Sequence, residues 1–351
     1  VDNINVAMVV ENHRTQSVVS GGRYHALFVA CALTELGHDV ILLTQNKPPF
    51  FDEFAKHYQM PKLKLTPDPL RVVGQLNHID LVIGYPIIWS AVALKVARLL
   101  AVPCFNFVLD AFPLTNKYAP AVASRMHYGP RHTKALQDSD LLLSISDFAV
   151  PYIIEWTGNQ NTISLMGCVN SRLADTVSGG QSDRFVAITR CTEHKRLSDL
   201  VYVANKTKAN IDIITSHSPG QVAQRVNSVS DRIWVHASLS DADKLEMIKS
   251  ARALICPSAY EGLGIPAMEA MYCGIPVICY DFPILREVCG NGALYASYCS
   301  PESLANQVKK IMKDDNLRQD LAARAFGVGR NYSFEALCKR LREVIAEWMR
   351  C

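Results

Sequence analysis

Glu261 and Glu269 are two carboxylates separated by seven residues, and the stretch between them opens Gly262-Leu263-Gly264-Ile265-Pro266. Glycines at 262 and 264 free the backbone to approach a ligand closely. Pro266 suits a first helical turn, where its missing N–H costs nothing, and Gly274 suits the position just past the helix end. A helix starting here presents unpaired N–H groups and the positive end of its dipole, a site for an anion such as a diphosphate. Carboxylates do not bind phosphate, but they accept hydrogen bonds from hydroxyls. Phosphates and hydroxyls together are what a sugar nucleotide offers.

Other residues fit the same chemistry less specifically. Arg190 and Lys195 follow the apolar run Phe185-Val186-Ala187-Ile188. Two cations at a strand's carboxyl end can neutralise a diphosphate, although a solvated basic loop explains them equally when they are taken alone. Gly21-Gly22, after Ser20, precedes an apolar-periodic helix and can bring backbone to a phosphate; an ordinary turn is the plainer explanation. Asp241-Ala242-Asp243 has the outline of a metal-holding D-x-D, but it follows Ser240 at a helix start, where acidic residues favour the dipole. Helix capping is the expectation there, and no other cluster has metal-ligand spacing. Lys117, Arg125, His127, Arg131, His132 and Lys134 make the segment 117–134 basic, either a solvated face, the wall of an acceptor cleft or a peripheral contact with anionic lipid.

The elements that must position these residues read as two alternating series. Strands are expected at 4–10, 40–43, 81–83, 104–108 and 141–144, with a helix at about 22–36 closed by Gly37. A polar, small-residue stretch around 171–183 reads as a linker. Strands at 185–188, 211–214, 232–235, 253–256 and 276–279 follow, and two amphipathic helices fill about 316–350 with a break near Asn331-Tyr332-Ser333. Alternation of this kind predicts parallel sheets covered on both faces. Ligands then bind at the carboxyl ends of the strands.

The bulk properties agree with a two-domain α/β protein. The chain has 351 residues, 49% hydrophobic and 20% charged, enough for two domains of roughly 100–200 residues. A net charge of +3 gives no argument for a nucleic-acid partner. Eleven cysteines without a C-x-x-C pattern read as reduced thiols. No apolar run reaches the roughly 18–20 residues that span a bilayer, the N-terminal residues lack a signal-peptide layout, and a cytoplasmic location is the expectation.

Taken together, the pattern resembles the retaining GT-B glycosyltransferases of glycosyltransferase family 4 over nearly the whole chain. The 261–269 stretch is similar to the family's E-x7-E signature, Thr189-Arg190 with Lys195 to its diphosphate pair, and Leu36-Gly37-His38-Asp39-Val40 to the end of its first-loop pattern. Tyr332-Ser333-Phe334-Glu335 is similar to the start of its last helix. The resemblance implies two Rossmann-like domains facing across a cleft. Residues 1–172, with a helix at about 332–351 crossing back, would form the acceptor domain, and 173–331 the donor domain. It implies that Glu269 holds the ribose, that Glu261 and the backbone of Gly262, Leu263, Gly264 and Ile265 hold the transferred sugar, and that Arg190 and Lys195 support the leaving diphosphate. Gly21 and Gly22 would approach the phosphates from the first domain. Three positions depart from the pattern. Leu109-Asp110 stands where the family often has His-Asp, which leaves Asp110 as the acceptor-side candidate. His236 or Ala237 replaces a glycine in the region that touches the nucleobase. Gly22-Arg23-Tyr24 lacks a common acidic residue.

The expected activity is transfer of a hexose from a UDP- or GDP-sugar to a glycan, lipid-linked or small-molecule acceptor, with no metal and no resident cofactor. A GT-B sugar-nucleotide epimerase and a non-catalytic nucleotide-sugar-binding homologue are the alternatives. Glu261→Ala and Lys195→Ala are each expected to abolish most turnover and leave the fold intact.

Overall fold

The computed structural model describes residues 3–10, 21–48, 50–124, 129–226 and 230–350. The chain divides into two compact units, residues 1–168 with 334–351 and residues 169–333.

The first unit is built on seven parallel strands: β1 (Asn5–Val10), β2 (Asp39–Thr44), β3 (Lys62–Leu65), β4 (Leu81–Tyr85), β5 (Cys104–Val108), β6 (Leu141–Ser144) and β7 (Thr162–Ser164), in the spatial order 3-2-1-4-5-6-7. β1 is apolar and buried from Val6 to Val10, as a central parallel strand covered on both faces must be. The helix Gly21–Glu35 returns the chain from β1 to β2, and Gly37, at φ +94, closes it with backbone bonds to Thr34 and, from His38, to Leu33. The C-terminal helix Phe334–Trp348 belongs to this unit: Phe334 packs on Phe28 and Tyr58, and Trp348 stands edge-on to Phe105.

The second unit carries β8 (Phe185–Ile188), β9 (Ile211–Thr215), β10 (Ile233–Ala237), β11 (Leu254–Cys256), β12 (Val277–Tyr280) and β13 (Ala293–Ala296), parallel and ordered 10-9-8-11-12-13. One face packs Phe185, Ile211, Ile213 and Ile255 against Leu200, Val203, Leu304 and Val308 from two helices. The strand order reverses between β8 and β11, which pair at Val186 and Leu254. That reversal opens a crevice at the strands' carboxyl ends, and it sets the loop after β8 beside the loop after β11.

The polar stretch around 171–183 lies inside this unit. Residues Ser171–Thr176 form a helix. Lys249 Nζ donates to the carbonyls of Ala174 and Val177 at 2.6 and 2.7 Å, and the Tyr272 hydroxyl donates to Asp175 at 3.0 Å. An ammonium at a helix C-terminus satisfies carbonyls that the helix itself leaves unpaired. The chain's two crossings meet where Val169 N–H donates to the Tyr332 carbonyl at 2.9 Å.

Candidate functional site

The loop after β11 reaches the helix Ile265–Tyr272 through Gly264, whose φ of +82 is left-handed. A Cβ at Gly264 would stand 3.2 Å from the Leu285 side chain, so glycine answers both the backbone and the space. Pro266 occupies the first turn and Gly274, at φ +70, follows the end. The helix's placement depends on a second close approach. A Cβ at Gly329 would lie 2.3 Å from the Met271 backbone, so the helix Asp315–Gly329 packs directly on this one. Among the described residues, the N–H groups of Gly262, Leu263, Gly264 and Ile265 donate to no protein group. Four consecutive unpaired donors at a helix start form an anion-binding arrangement.

Glu261 is buried beside these donors. Its Oε1 accepts from Lys195 Nζ at 2.6 Å, with the two side chains 9% and 12% exposed respectively. Ser258 and the Cys256 thiol also point to this carboxylate. Burial pushes Glu261 upward, but the Lys195 ammonium, with help from Ser258 and His194, outweighs it and holds the carboxyl below its ordinary value. Lys195 reaches it from the turn Glu193–Lys195, which is tied to the β11 loop by Ala259 N–H donating to the His194 carbonyl at 2.8 Å. His194 itself is driven down to about 4, first by burial and then by Lys195, so its ring is neutral near pH 7. Arg190, in the same loop, is exposed, and its side chain makes no hydrogen bond or ion pair among the described residues.

Glu269 lies in the second turn of the helix Ile265–Tyr272, buried, and accepts from Lys244 Nζ at 2.7 Å. Lys244 also reaches Asp241 at 3.1 Å. Burial works against charge on Lys244, yet the two carboxylates outweigh it and keep the ammonium protonated. Sequence reasoning passed over Lys244. The available signal was its spacing of three from Asp241, which places both on one helix face. Asp241 and Asp243 stand in the first turn of the helix Asp241–Ser250, and Ser240 accepts from Asp243 N–H at 3.1 Å, the capping arrangement the sequence implied.

His236 is not with this group. It stands on edge strand β10, and its Nε2 lies 2.7 Å from Asp212 Oδ1, while Arg184 also pairs with Asp212 and stacks on Trp234 at 3.8 Å. Gly21, Gly22 and Asp110 belong to the first unit. Gly21 and Gly22 open the helix Gly21–Glu35; Ser20 lies outside the described residues. Asp110 follows β5, half-buried, and its charge adds to burial in raising the Tyr85 hydroxyl well above its ordinary range. The Tyr85 hydroxyl is 3.0 Å from His25 Nδ1, and His25 Nε2 is 3.3 Å from the Met166 carbonyl. A carbonyl only accepts, so Nε2 carries the proton and Nδ1 accepts from Tyr85. Burial lowers His25 to about 4, which makes it a neutral core histidine with both nitrogens occupied.

In the basic segment, Lys134 is paired with Asp138 at 2.6 Å and Lys117 lies over Tyr118, while Arg125 and His127 lie outside the described residues. Among the described residues no cluster of three or more His, Cys, Asp or Glu gathers as a metal site requires, no cysteine is in a disulfide, and no helix is long and apolar enough to cross a membrane.

A family model described as glycosyl transferases group 1 matches residues 224–327. O-antigen chain mannosyltransferase B of Escherichia coli is 34% identical over 95 residues, which is 27% of this chain and 25% of that relative. The MMP alpha-(1->4)-mannosyltransferase of Mycolicibacterium hassiacum is 24% identical over a 348-residue alignment covering 83% of this chain and 84% of that one. Among solved structures, sucrose-phosphate synthase of Thermosynechococcus elongatus aligns with a TM-score of 0.78 at 15% identity, covering 99% of this chain and 100% of that one. Anabaena HepE in complex with UDP and glucose aligns with a TM-score of 0.79 at 12% identity, covering 98% and 100%. The fold is therefore that of the GT-B glycosyltransferase structures, with two parallel-sheet, Rossmann-like domains.

Proposed function

We propose that the chain is a retaining glycosyltransferase that transfers a hexose from a UDP- or GDP-sugar to a glycan, lipid-linked or small-molecule acceptor. The observation that carries this is the row of unpartnered N–H groups at 262–265, set beside the buried Lys195–Glu261 pair at the reversal between β8 and β11. Anion donors, a buried cation and a carboxylate held ionised are the groups a sugar diphosphate needs. Support comes from the relatives named as mannosyltransferases and from a structural neighbour that holds UDP and glucose.

In this reading Arg190, Lys195 and the N–H groups bind the diphosphate and take up the charge that grows on it as the sugar C1–O bond breaks. Preorganised donors aimed at developing charge are usually the largest catalytic contribution. These groups are the chain's own, and no step calls on a metal. Glu261 accepts from hydroxyls of the transferred sugar. The acceptor oxygen bonds to C1 on the face the diphosphate leaves, and its proton passes to the departing phosphate oxygen. Asp110 is assigned to the acceptor, Gly21 and Gly22 to the phosphates, and His236 to the nucleobase.

The test is a thermal-shift screen with UDP, GDP, ADP and their glucose and mannose conjugates, followed by acceptor-dependent release of the nucleoside diphosphate. A ligand that binds only the folded chain raises apparent stability by about 2.7 kcal/mol at a hundredfold excess over its Kd. The expected result is stabilisation by one nucleotide series and turnover that requires an acceptor. Conversion of a lone sugar nucleotide would replace transfer with epimerisation. Binding without turnover across acceptor panels would make the chain a sugar-nucleotide binder, and no binding at all would overturn the proposal.

A further inference from the structure

Glu269 presents its two oxygens unequally. Oε1 is held by Lys244 Nζ at 2.7 Å, whereas Oε2 accepts no hydrogen bond among the described residues. Lys244 is in turn fixed by Asp241 at 3.1 Å, and its side chain is only 19% exposed. One cation thus spans two helices and aims a single carboxylate oxygen. An ionised carboxylate only accepts, while a protonated one offers a donor in its place. Burial pushes Glu269 toward the protonated form, and Lys244 is the group opposing it.

We propose that Lys244 is a positioning residue for ribose recognition: it occupies one oxygen of Glu269 and leaves the other to accept from ribose hydroxyls, so that the chain prefers ribonucleotides to 2'-deoxyribonucleotides. This rests on the reading that the N–H groups at 262–265 hold the donor diphosphate and that Glu269, as the resemblance implies, faces its ribose. The simpler role, a tie between the helices Asp241–Ser250 and Ile265–Tyr272, makes a different prediction. A tie alters stability and leaves sugar discrimination unchanged. The helix Asp241–Ser250 is also anchored independently of Lys244, through Lys249 to the carbonyls of Ala174 and Val177.

The experiment is calorimetric titration of the full chain with UDP, GDP and ADP and with their 2'-deoxy forms. The wild type is expected to favour the ribonucleotide it binds by roughly tenfold to a hundredfold, the worth of a hydrogen bond to a charged acceptor. Lys244→Met should bring that ratio close to one while diphosphate-driven binding persists, and Lys244→Arg should restore most of it. Asp241→Asn should lower the ratio in the same direction, and it carries the test if Lys244→Met does not fold. A ratio kept within about twofold of wild type, in Lys244→Met or failing that in Asp241→Asn, overturns the inference and leaves the proposed function standing, because the two differ only in this ratio. Equal wild-type affinity for both sugars overturns the ribose role of Glu269 and the inference with it. No binding of any nucleoside diphosphate overturns the proposed function as well.

Discussion

Lys195 and Glu261 should be tested as a pair, because each is the other's counterion. At 2.6 Å, with side chains 12% and 9% exposed, two unit charges attract by about 6 kcal/mol at an effective dielectric of about 20. Taking each ion out of water costs several kcal/mol, so the pair adds little over a well-packed apolar pair, yet removing one partner costs about 3–5 kcal/mol. Lys195→Met leaves the buried carboxylate with the weaker support of Ser258, the Cys256 thiol and His194 among the described residues. Glu261→Leu leaves a buried ammonium. Each single variant should lower the calorimetric melting temperature of the second unit by roughly 6–20 °C, at about 2–4 °C per kcal/mol for a unit of this size. The double variant Lys195→Met/Glu261→Leu should recover most of that loss while transferring no sugar. Ligand binding separates the two roles further: Glu261→Gln frees Lys195 for a diphosphate and should keep or tighten UDP or GDP binding, whereas Lys195→Met should weaken it about tenfold or more. A double variant as unstable as the sum of the singles, or diphosphate affinity untouched by Lys195→Met, would refute this reasoning.

Three further outcomes come from the same geometry. Arg190→Ala removes an exposed side chain with no partner among the described residues; stability should hold within about 0.5 kcal/mol while nucleoside diphosphate affinity drops about tenfold, and unchanged affinity would withdraw its role. Gly264→Ala forces a side chain onto a φ of +82 and against Leu285 at 3.2 Å, which should cost about 1–2 kcal/mol in thermal melts and weaken UDP or GDP binding. His194 is lowered from 6.5 to about 4, by burial first and by Lys195 next, so the unfolded chain takes up the proton before the folded one does. Its contribution to stability is therefore complete above pH 6.5 and falls away toward pH 4. His194→Gln should flatten that part of a melting-temperature series, and an unchanged slope would count against the assignment.

Sequence patterning located the central strands and the edge strand β10 but missed the other three edges, for a physical reason. β5, β6 and β8 stand at the residues their apolar runs implied. The missed strands β3, β7 and β13 each lie at a sheet edge. Edge strands are short or polar because one side faces no partner strand: β3 reads Lys-Leu-Lys-Leu and β7 has three residues. The site was legible in the same uneven way. The turn, cap and glycines of 261–274 are local and could be read directly. The pairings were not. Lys195 lies 66 positions before Glu261 and Lys244 25 before Glu269, and only the return of the chain from β8 to β11 and the packing of neighbouring helices bring them together. The pairing of His236 was equally out of sight, since Asp212, on the adjoining strand, engages its ring.

The absence of a histidine before Asp110 is the point at which the sequence departs furthest from the resemblance, and the structure narrows its consequences. His25 sits close by through Tyr85, but it does not replace the missing group. Its two ring nitrogens are committed to Tyr85 and Met166, and burial keeps it neutral. A general base needs a free lone pair within reach of the proton it removes, and His25 offers none. Asp110 is half-buried after β5, and the Tyr85 hydroxyl is raised by burial first and by Asp110 next. In the same-face transfer proposed above, the departing diphosphate takes the acceptor's proton itself, so that step calls on no histidine. On that proposal the chemical demand falls on Arg190, Lys195 and the 262–265 donors. The second unit holds both carboxylates, each with a buried lysine beside it.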